Sequence, residues 1–591
     1  MTNLLITRVK NAYLFYALSS SSSAEYECEL SEKKKEGTST SEERHEPLHV
    51  PLRHSRSCHC RSLSEHTTAR LSTKKLAADL IVKNAVIFTS DASLPVADSM
   101  AIQNGRILRV GNYSSLQDLV GGGTRELNIE GKVLVPGFID SHVHLIPGGL
   151  QMGRVELRGV NQKEEFVRRV KEAAGNVKQG SWVLGGGWNN DLWGGELPMA
   201  SWLDDFTADN PVWLTRMDGH MGLANSLALK LAEPTGLLID AAMKLVLPLI
   251  PEVSVNERRE AFLRASNLAL TRGVTTIVDF GRYFPGASVE HSWEDLSDVY
   301  QWADSSGKMI IRVCLFFPME TWPRLIELIK KTGRALSDWI YLGGVKAFAD
   351  GSLGSSSAFF FEPYAEEPHN YGLQVTDPES LFNMTAASDK LGLQVAIHAI
   401  GDRANEMVLD TYRSVALTNG MRDRRFRIEH AQHLAPGMPA RFGEQGVVAS
   451  VQPDHLLDDG DSAAKKLGVD RAQQGSYLFH SLLASNARLA LGSDWPVANI
   501  NPVGSIKTAI KRIPHGWKHA WMSSECLSLN DALIAHTISA AYACFLDNEL
   551  GSLSPGKLAD FVILSTSTLD DLAEGSVTVE ATYVAGVQAY P

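Results

Sequence analysis

Cysteine is scarce in this chain. Six are spread irregularly over 591 residues (Cys28, Cys58, Cys60, Cys314, Cys526 and Cys544), which argues against a disulfide framework. Cys58-His59-Cys60 with His54 has the donors of a zinc site but no second spaced pair. Apolar runs are short, and none reaches the ~20 residues that span a bilayer. Basic residues show no excess: 56 Lys and Arg face 68 Asp and Glu, a net charge of −12, so no nucleic-acid surface is expected. What is present is 44% hydrophobic and 21% charged, the texture of a globular protein, at a length that suits one large domain and a smaller one.

Residues 1–77 read as a disordered or targeting extension. Arg8 and Lys10 precede a short apolar patch, Ala12 to Leu18, and residues 24–75 are rich in Ser, Glu, Lys and Arg. Both a cytoplasmic and an endomembrane-associated location fit that pattern.

The folded part is expected from Ala78. Asp79 to Thr89 reads as a strand pair around Lys83-Asn84, and Ser99 to Gly111 as a hairpin with an Asn104-Gly105 turn. A similar texture returns at Gly551 to Leu564 and Val577 to Tyr590. Residues 78–136 and 546–591 are therefore expected to build one small β domain. Between them, 137–545 alternates apolar strands (among them Val212 to Thr215, Thr275 to Phe280, Ile310 to Leu315 and Gly343 to Phe348) with helical stretches (Val255 to Thr271, Trp322 to Lys331, Pro378 to Leu391 and Ala404 to Asn419). That alternation predicts an α/β fold with parallel strands, a (β/α)8 TIM barrel at this length.

Chemistry-bearing residues fall at the ends of those strands. His142 and His144 follow the apolar run Val133 to Ile139, and two-residue spacing puts both imidazoles on one face of a strand. His398 closes Leu393 to Ile397, His430 closes Phe426 to Glu429, and Asp494 closes Leu489 to Ser493. Four histidines and a carboxylate at the catalytic end of a barrel suit a zinc-type site with a position open for water. Lys346, inside Val345 to Phe348, is costly there unless paired or modified. An ammonium cannot ligate a cation. Carboxylation by CO2 would make it a bridging anion; the plainer reading pairs it with Asp350 or another acid.

The motifs GFIDSHVHL, Trp188-Asn189-Asn190, Arg216-Met217-Asp218-Gly219-His220, VKAFADGSLGS, Ala396 to Asp402, Arg427 to Gln432, Gly492 to Val497 and GSLSPGKLADFVIL occur in one order. The chain resembles the amidohydrolase superfamily, and within it amidohydrolase family 3 (the YtcJ-like metal-dependent hydrolases), over roughly residues 78 to 590. The resemblance implies a small β-sandwich domain formed by both termini beside the barrel. It implies that His142 and His144 are the first-strand metal pair, that Lys346 bridges two metals as a carbamate, that His398 and His430 bind the second metal, and that Asp494 contacts metal and takes a proton from the attacking water. His220 corresponds to a histidine that polarises the substrate carbonyl or stabilises an oxyanion. Asp140 is read as a local hydrogen-bonding or ligand-orienting acid, and Arg427 with Glu429 as a structural pair. Trp188, Asn189, Trp193 and Trp495 are read as pocket lining or as packing.

The expected activity is hydrolysis of a non-peptide C–N bond in an N-substituted amide or formamide, a small-molecule substrate, with one or two divalent ions, zinc foremost. A deaminase or cyclic amidase, and a non-catalytic signalling scaffold, are the alternatives; a homodimer is compatible with each. One departure stands out: after Ala232 the chain passes directly to Glu233-Pro234-Thr235-Gly236, where relatives carry a Gly-rich connection, and cover over the catalytic face is expected to suffer.

Overall fold

Eight strands form one parallel sheet. In chain order they are β1 (Phe138–Val143), β2 (Val274–Asp279), β3 (Arg312–Pro318), β4 (Ile340–Phe348), β5 (Gln394–Ala399), β6 (Arg427–His430), β7 (Val448–Val451) and β8 (Arg488–Leu491). Each pairs with its neighbour in sequence. The ring is completed beyond the end of β8, where the Asp494 N–H donates to the His142 carbonyl (2.7 Å) and the His144 N–H to the Trp495 carbonyl (2.8 Å). This computed structural model describes residues 76–232 and 237–591. The Cys58-His59-Cys60 cluster, nearly all of the extension, and the Glu233–Gly236 junction lie outside those residues.

Strand alternation sorts the barrel's side chains. Outward residues such as Val313, Leu315, Val345, Val395 and Ile397 enter the large core shared with the surrounding helices. Inward residues such as Val278, Phe280, Cys314, Phe316 and Ala396 fill the interior, where Gly343 and Gly344 leave room for the Phe316 ring. Of the helices read from sequence, Val255–Thr271 forms as expected, and Trp322–Thr332, Pro378–Lys390 and Asp402–Asn419 differ by one or two residues at an end.

The termini meet in a small two-sheet β domain. One sheet orders Arg106–Gly111, Ser99–Gln103, Leu80–Lys83 and Arg125–Asn128; in the other, Val579–Val584 and Phe561–Leu564 lie beside Val133–Pro136 and Val86–Phe88, the two termini meeting where Phe561–Leu564 pairs with Val133–Pro136. Leu134, Phe561 and Ile563 turn into the space between the sheets, whereas Val133, Val135, Val562 and Leu564 turn to the barrel core. The Asn104-Gly105 hairpin forms with both turn residues at positive φ (50° and 74°), the conformation a two-residue turn requires.

Three expectations are corrected. Val133 to Ile139 is not one strand: it divides at Pro136-Gly137, its first half joining the β domain and its second starting β1. A Cβ on Gly137 would lie 2.3 Å from Thr275 Oγ1, so the chain crosses between sheets at a point too tight for another residue. Leu80–Lys83 and Val86–Phe88 do not pair with each other but enter different sheets. Val212–Arg216 is not a barrel strand. It belongs to a five-stranded sheet, with Leu237–Ile239, Met221–Ala224, Val183–Trp188 and Val155–Glu156, inserted between β1 and β2. Its apolar alternation resembles that of a barrel strand because it buries a core of its own.

Candidate metal centre and active site

His142, His144, Lys346, His398, His430 and Asp494 all line one pocket at the carboxyl ends of the barrel strands, together with His220 and Asn189 from the inserted sheet. The space enclosed is about 70 Å³. His142 and Asp140 share the inward face of β1, and Asp140 accepts the backbone N–H groups of His142 (3.3 Å) and Ser493 (2.8 Å), tying β1 to the segment that carries Asp494.

Each histidine is fixed at one ring nitrogen. His142 Nδ1 meets Glu429 Oε2 at 2.6 Å, His144 Nδ1 meets the Gly281 carbonyl at 2.7 Å, His430 Nδ1 meets Gln452 Oε1 at 2.8 Å, and His398 Nε2 meets the Gly351 carbonyl at 3.0 Å. A hydrogen bond at one nitrogen sets the tautomer and leaves the other as a donor atom. His142 Nε2 and His144 Nε2 each stand 3.5 Å from Asp494 Oδ1. Both His142 Nε2 and Asp494 Oδ1 are buried without a hydrogen-bond partner among the described residues. Uncompensated polar atoms of this kind, aimed at one another, are costly unless something sits between them.

Electrostatics point the same way. Burial, followed by the charge of Lys346 and neighbouring residues, holds the His142 pKa well below its ordinary value. Burial does the same to His398 and His430, and brings His144 down to about 3. Neutral imidazoles are the form that ligates a metal. Burial raises the Asp494 pKa against the pull of Lys346 and His220. His430 (φ 76°) and Asp494 (φ 56°) both hold left-handed backbone, a strain of about 1–3 kcal/mol each that recurs at functional positions.

Lys346 is buried with its Nζ 4.3 Å from the centre of the Phe280 ring and 5.1 Å from that of Phe348. The Asp350 partner expected from sequence is engaged elsewhere, accepting the N–H groups of Phe359, Ile400 and Gly401. Burial lowers the Lys346 pKa, opposed by Glu429 and Asp494.

Other expectations sort cleanly. Glu429 does pair with Arg427 (2.8 Å), but its other oxygen serves His142, so the pair also orients a site histidine. Trp188 is core, its Nε1–H donating to the Leu214 carbonyl, and neither it nor Trp193 nor Trp495 lines the pocket. Sequence reading missed His455, whose Nε2 lies 3.8 Å from Asp494 Oδ2. It opens the helix His455–Leu467 after β7, where no strand-end pattern singles it out. Also missed was Arg216, whose guanidinium ties Asp218 (2.7 Å), Asp191 (2.9 Å) and Asn189 (2.8 Å) together under the pocket mouth.

The donor set fits a divalent transition ion: neutral imidazoles with one free nitrogen each, a carboxylate facing two of them, and hydrogen-bonded partners behind. His142, His144 and Asp494 offer ligand atoms within 4.8 Å of one another, and so do His430, His455 and Asp494.

Comparison with known proteins shows the family. The profile of the amidohydrolase family matches residues 125–590. The Arabidopsis thaliana protein LONG AFTER FAR-RED 3 is 65% identical over 537 residues, covering 87% of this chain and 92% of the relative. The N-substituted formamide deformylase of Arthrobacter pascens is 25% identical over 549 residues, covering 87% and 98%. The crystal structure of an uncharacterized metal-dependent hydrolase from Pyrococcus horikoshii OT3 superposes with a TM-score of 0.68 at 27% identity, covering 84% of this chain and 98% of that one.

Proposed function

The chain belongs to the amidohydrolase family, and we propose that it hydrolyses a non-peptide C–N bond in a small N-substituted amide or formamide, with zinc as the metal. The observation that carries this reading is the convergence of His142 Nε2 and His144 Nε2 on Asp494 Oδ1, two of those three atoms being buried and unpaired. The substrate class draws support from the formamide deformylase relative.

In this reading His142, His144 and Asp494 hold one ion, and His398 and His430 hold a second with Lys346. A bound divalent ion supplies a Lewis acid that acidifies water and polarises a carbonyl. Asp494, whose Oδ1 stands 3.5 Å from both His142 Nε2 and His144 Nε2, accepts a proton from the attacking water and delivers it to the leaving nitrogen. His220, beside His398 with ring centres 5.1 Å apart, donates from Nε2 to the substrate oxygen. Lys346 joins the ligands as a carbamate: its depressed pKa leaves the free amine that adds CO2, losing one proton as the N–C bond forms.

A second reading, a non-catalytic scaffold, is favoured by one observation. The enclosed 70 Å³ is far below the roughly 300–1,000 Å³ of ordinary ligand sites. Purified full-length protein is to be assayed for bound zinc and for hydrolysis of a panel of N-substituted formamides, a cyclic amide and an amidine. The proposal expects metal and formamide cleavage, with cleavage lost and metal content reduced when His142→Ala and His144→Ala are combined. Metal without hydrolysis of any substrate supports the scaffold. Hydrolysis undiminished in the double variant overturns the metal-centred reading.

A further inference from the structure

The inserted sheet brings a carboxylate to His220 that no sequence pattern singled out. His220 precedes the strand Met221–Ala224, and Asp240 follows the antiparallel strand Leu237–Ile239. Met221 stands opposite Ile239, and the Asp240 N–H donates to the His220 carbonyl at 2.9 Å. That register places the two side chains side by side, with His220 Nδ1 2.5 Å from Asp240 Oδ1 and both almost completely buried.

Asp240 has little other reason to be there. Its Oδ2 is buried and unpaired among the described residues, and its backbone holds φ 47°, an unfavourable conformation for a non-glycine residue. A carboxylate withdrawn from water with a single side-chain hydrogen bond costs stability rather than adding to it. Gly351 lies against that face, where a Cβ would come within 2.9 Å of Oδ2, so the loop after β4 closes tightly over the pair. His220 belongs to the pocket wall, and Asp240 stands behind it, outside the lining.

We infer that Asp240 is a positioning residue for His220: it takes the Nδ1–H, fixes the plane of the ring, and favours the protonated imidazole whose Nε2–H faces the pocket. The inference rests on the reading that His220 faces the substrate oxygen. The electrostatics agree, since burial alone would lower the His220 pKa and Asp240 turns the balance so that it is raised.

The test joins a spectroscopic readout to kinetics. With histidine labelled in 15N, the full-length protein is expected to show a downfield, exchange-protected imidazole N–H that disappears in both His220→Gln and Asp240→Asn. On a cleaved formamide, Asp240→Asn is expected to lower kcat by roughly 10- to 100-fold, toward the low end of what a positioned proton donor contributes. KM and metal content should be essentially unchanged, and Asp240→Glu should recover part of the loss. A resonance that survives Asp240→Asn overturns the inference, as does a variant with wild-type kcat. If the wild-type protein cleaves no amide, the functional reading fails, while the resonance still decides whether Asp240 holds His220. If Asp240→Asn does not fold, Asp240→Glu decides the point: a retained but shifted resonance supports the inference, and an unshifted one overturns it.

Discussion

At the scale of single residues, the clearest lesson lies in the partners of the ligands. HxH spacing and strand ends were enough to nominate His142, His144, His398, His430 and Asp494. What holds them was not legible, because Glu429, Gln452 and the Gly281 carbonyl reach them from other strands and loops. Arg216 and Asp218 show how much charge the pocket rim must neutralise. Burial alone would raise the Asp218 pKa, but Arg216, His220 and the hydroxyls of Ser352 and Ser355 hold it at about 2. A carboxyl depressed in the folded state stabilises the protein above its unfolded pKa of about 4 and loses that contribution as pH falls toward the folded value. The contribution is about 2 kcal/mol at neutral pH, at 1.36 kcal/mol per pKa unit. Asp218→Asn should therefore lower the urea midpoint by a constant amount from pH 7 to about 5. The gap to wild type should narrow below about pH 4. A gap that widens in acid would contradict the assignment.

At the scale of elements, periodicity found most helices and barrel strands because burial on one face imposes a period on the sequence. It failed where two different sheets impose the same period. Val212–Arg216 alternates like a barrel strand yet belongs to the inserted sheet, and Val133 to Ile139 reads as one strand yet serves two sheets. Backbone contact between elements is equally hidden from composition. Gly149, in the helix Leu145–Gln151 that follows His144, approaches the helix Val255–Thr271 so closely that a Cβ would lie 2.1 Å from the Ala261 carbonyl oxygen. Overpacking of this kind costs about 1–3 kcal/mol. Gly149→Ala is expected to lower the unfolding midpoint accordingly. Gly175→Ala, where nothing lies within 4 Å of the added carbon, should be neutral or slightly stabilising. Equal effects from the two substitutions would show that helix propensity, not the close approach, decides the cost.

At the scale of the whole molecule, the proposed centre draws ligands from β1, β4, β5 and β6 and from the segment after β8, the same segment whose backbone completes the barrel through His142 and His144. An ion held there joins strands far apart in sequence at the point where no regular ladder closes the ring. Binding to the folded state alone stabilises by RT ln(1 + [L]/Kd), about 4 kcal/mol when the free ion stands at 1,000 times its Kd. Removing the ion also returns buried, unpaired donors such as His142 Nε2 and Asp494 Oδ1 to an uncompensated state. Metal-stripped protein should consequently unfold at a lower temperature than metal-loaded protein at the same scan rate, and added zinc should restore the difference. Combined His142→Ala and His144→Ala should show a smaller chelator-dependent shift than wild type, because one of the two proposed ion sites is gone. Should stripping leave the wild-type transition where it was while metal analysis shows that the ion had been present, the ion would be bound somewhere that does not bridge the closure of the barrel.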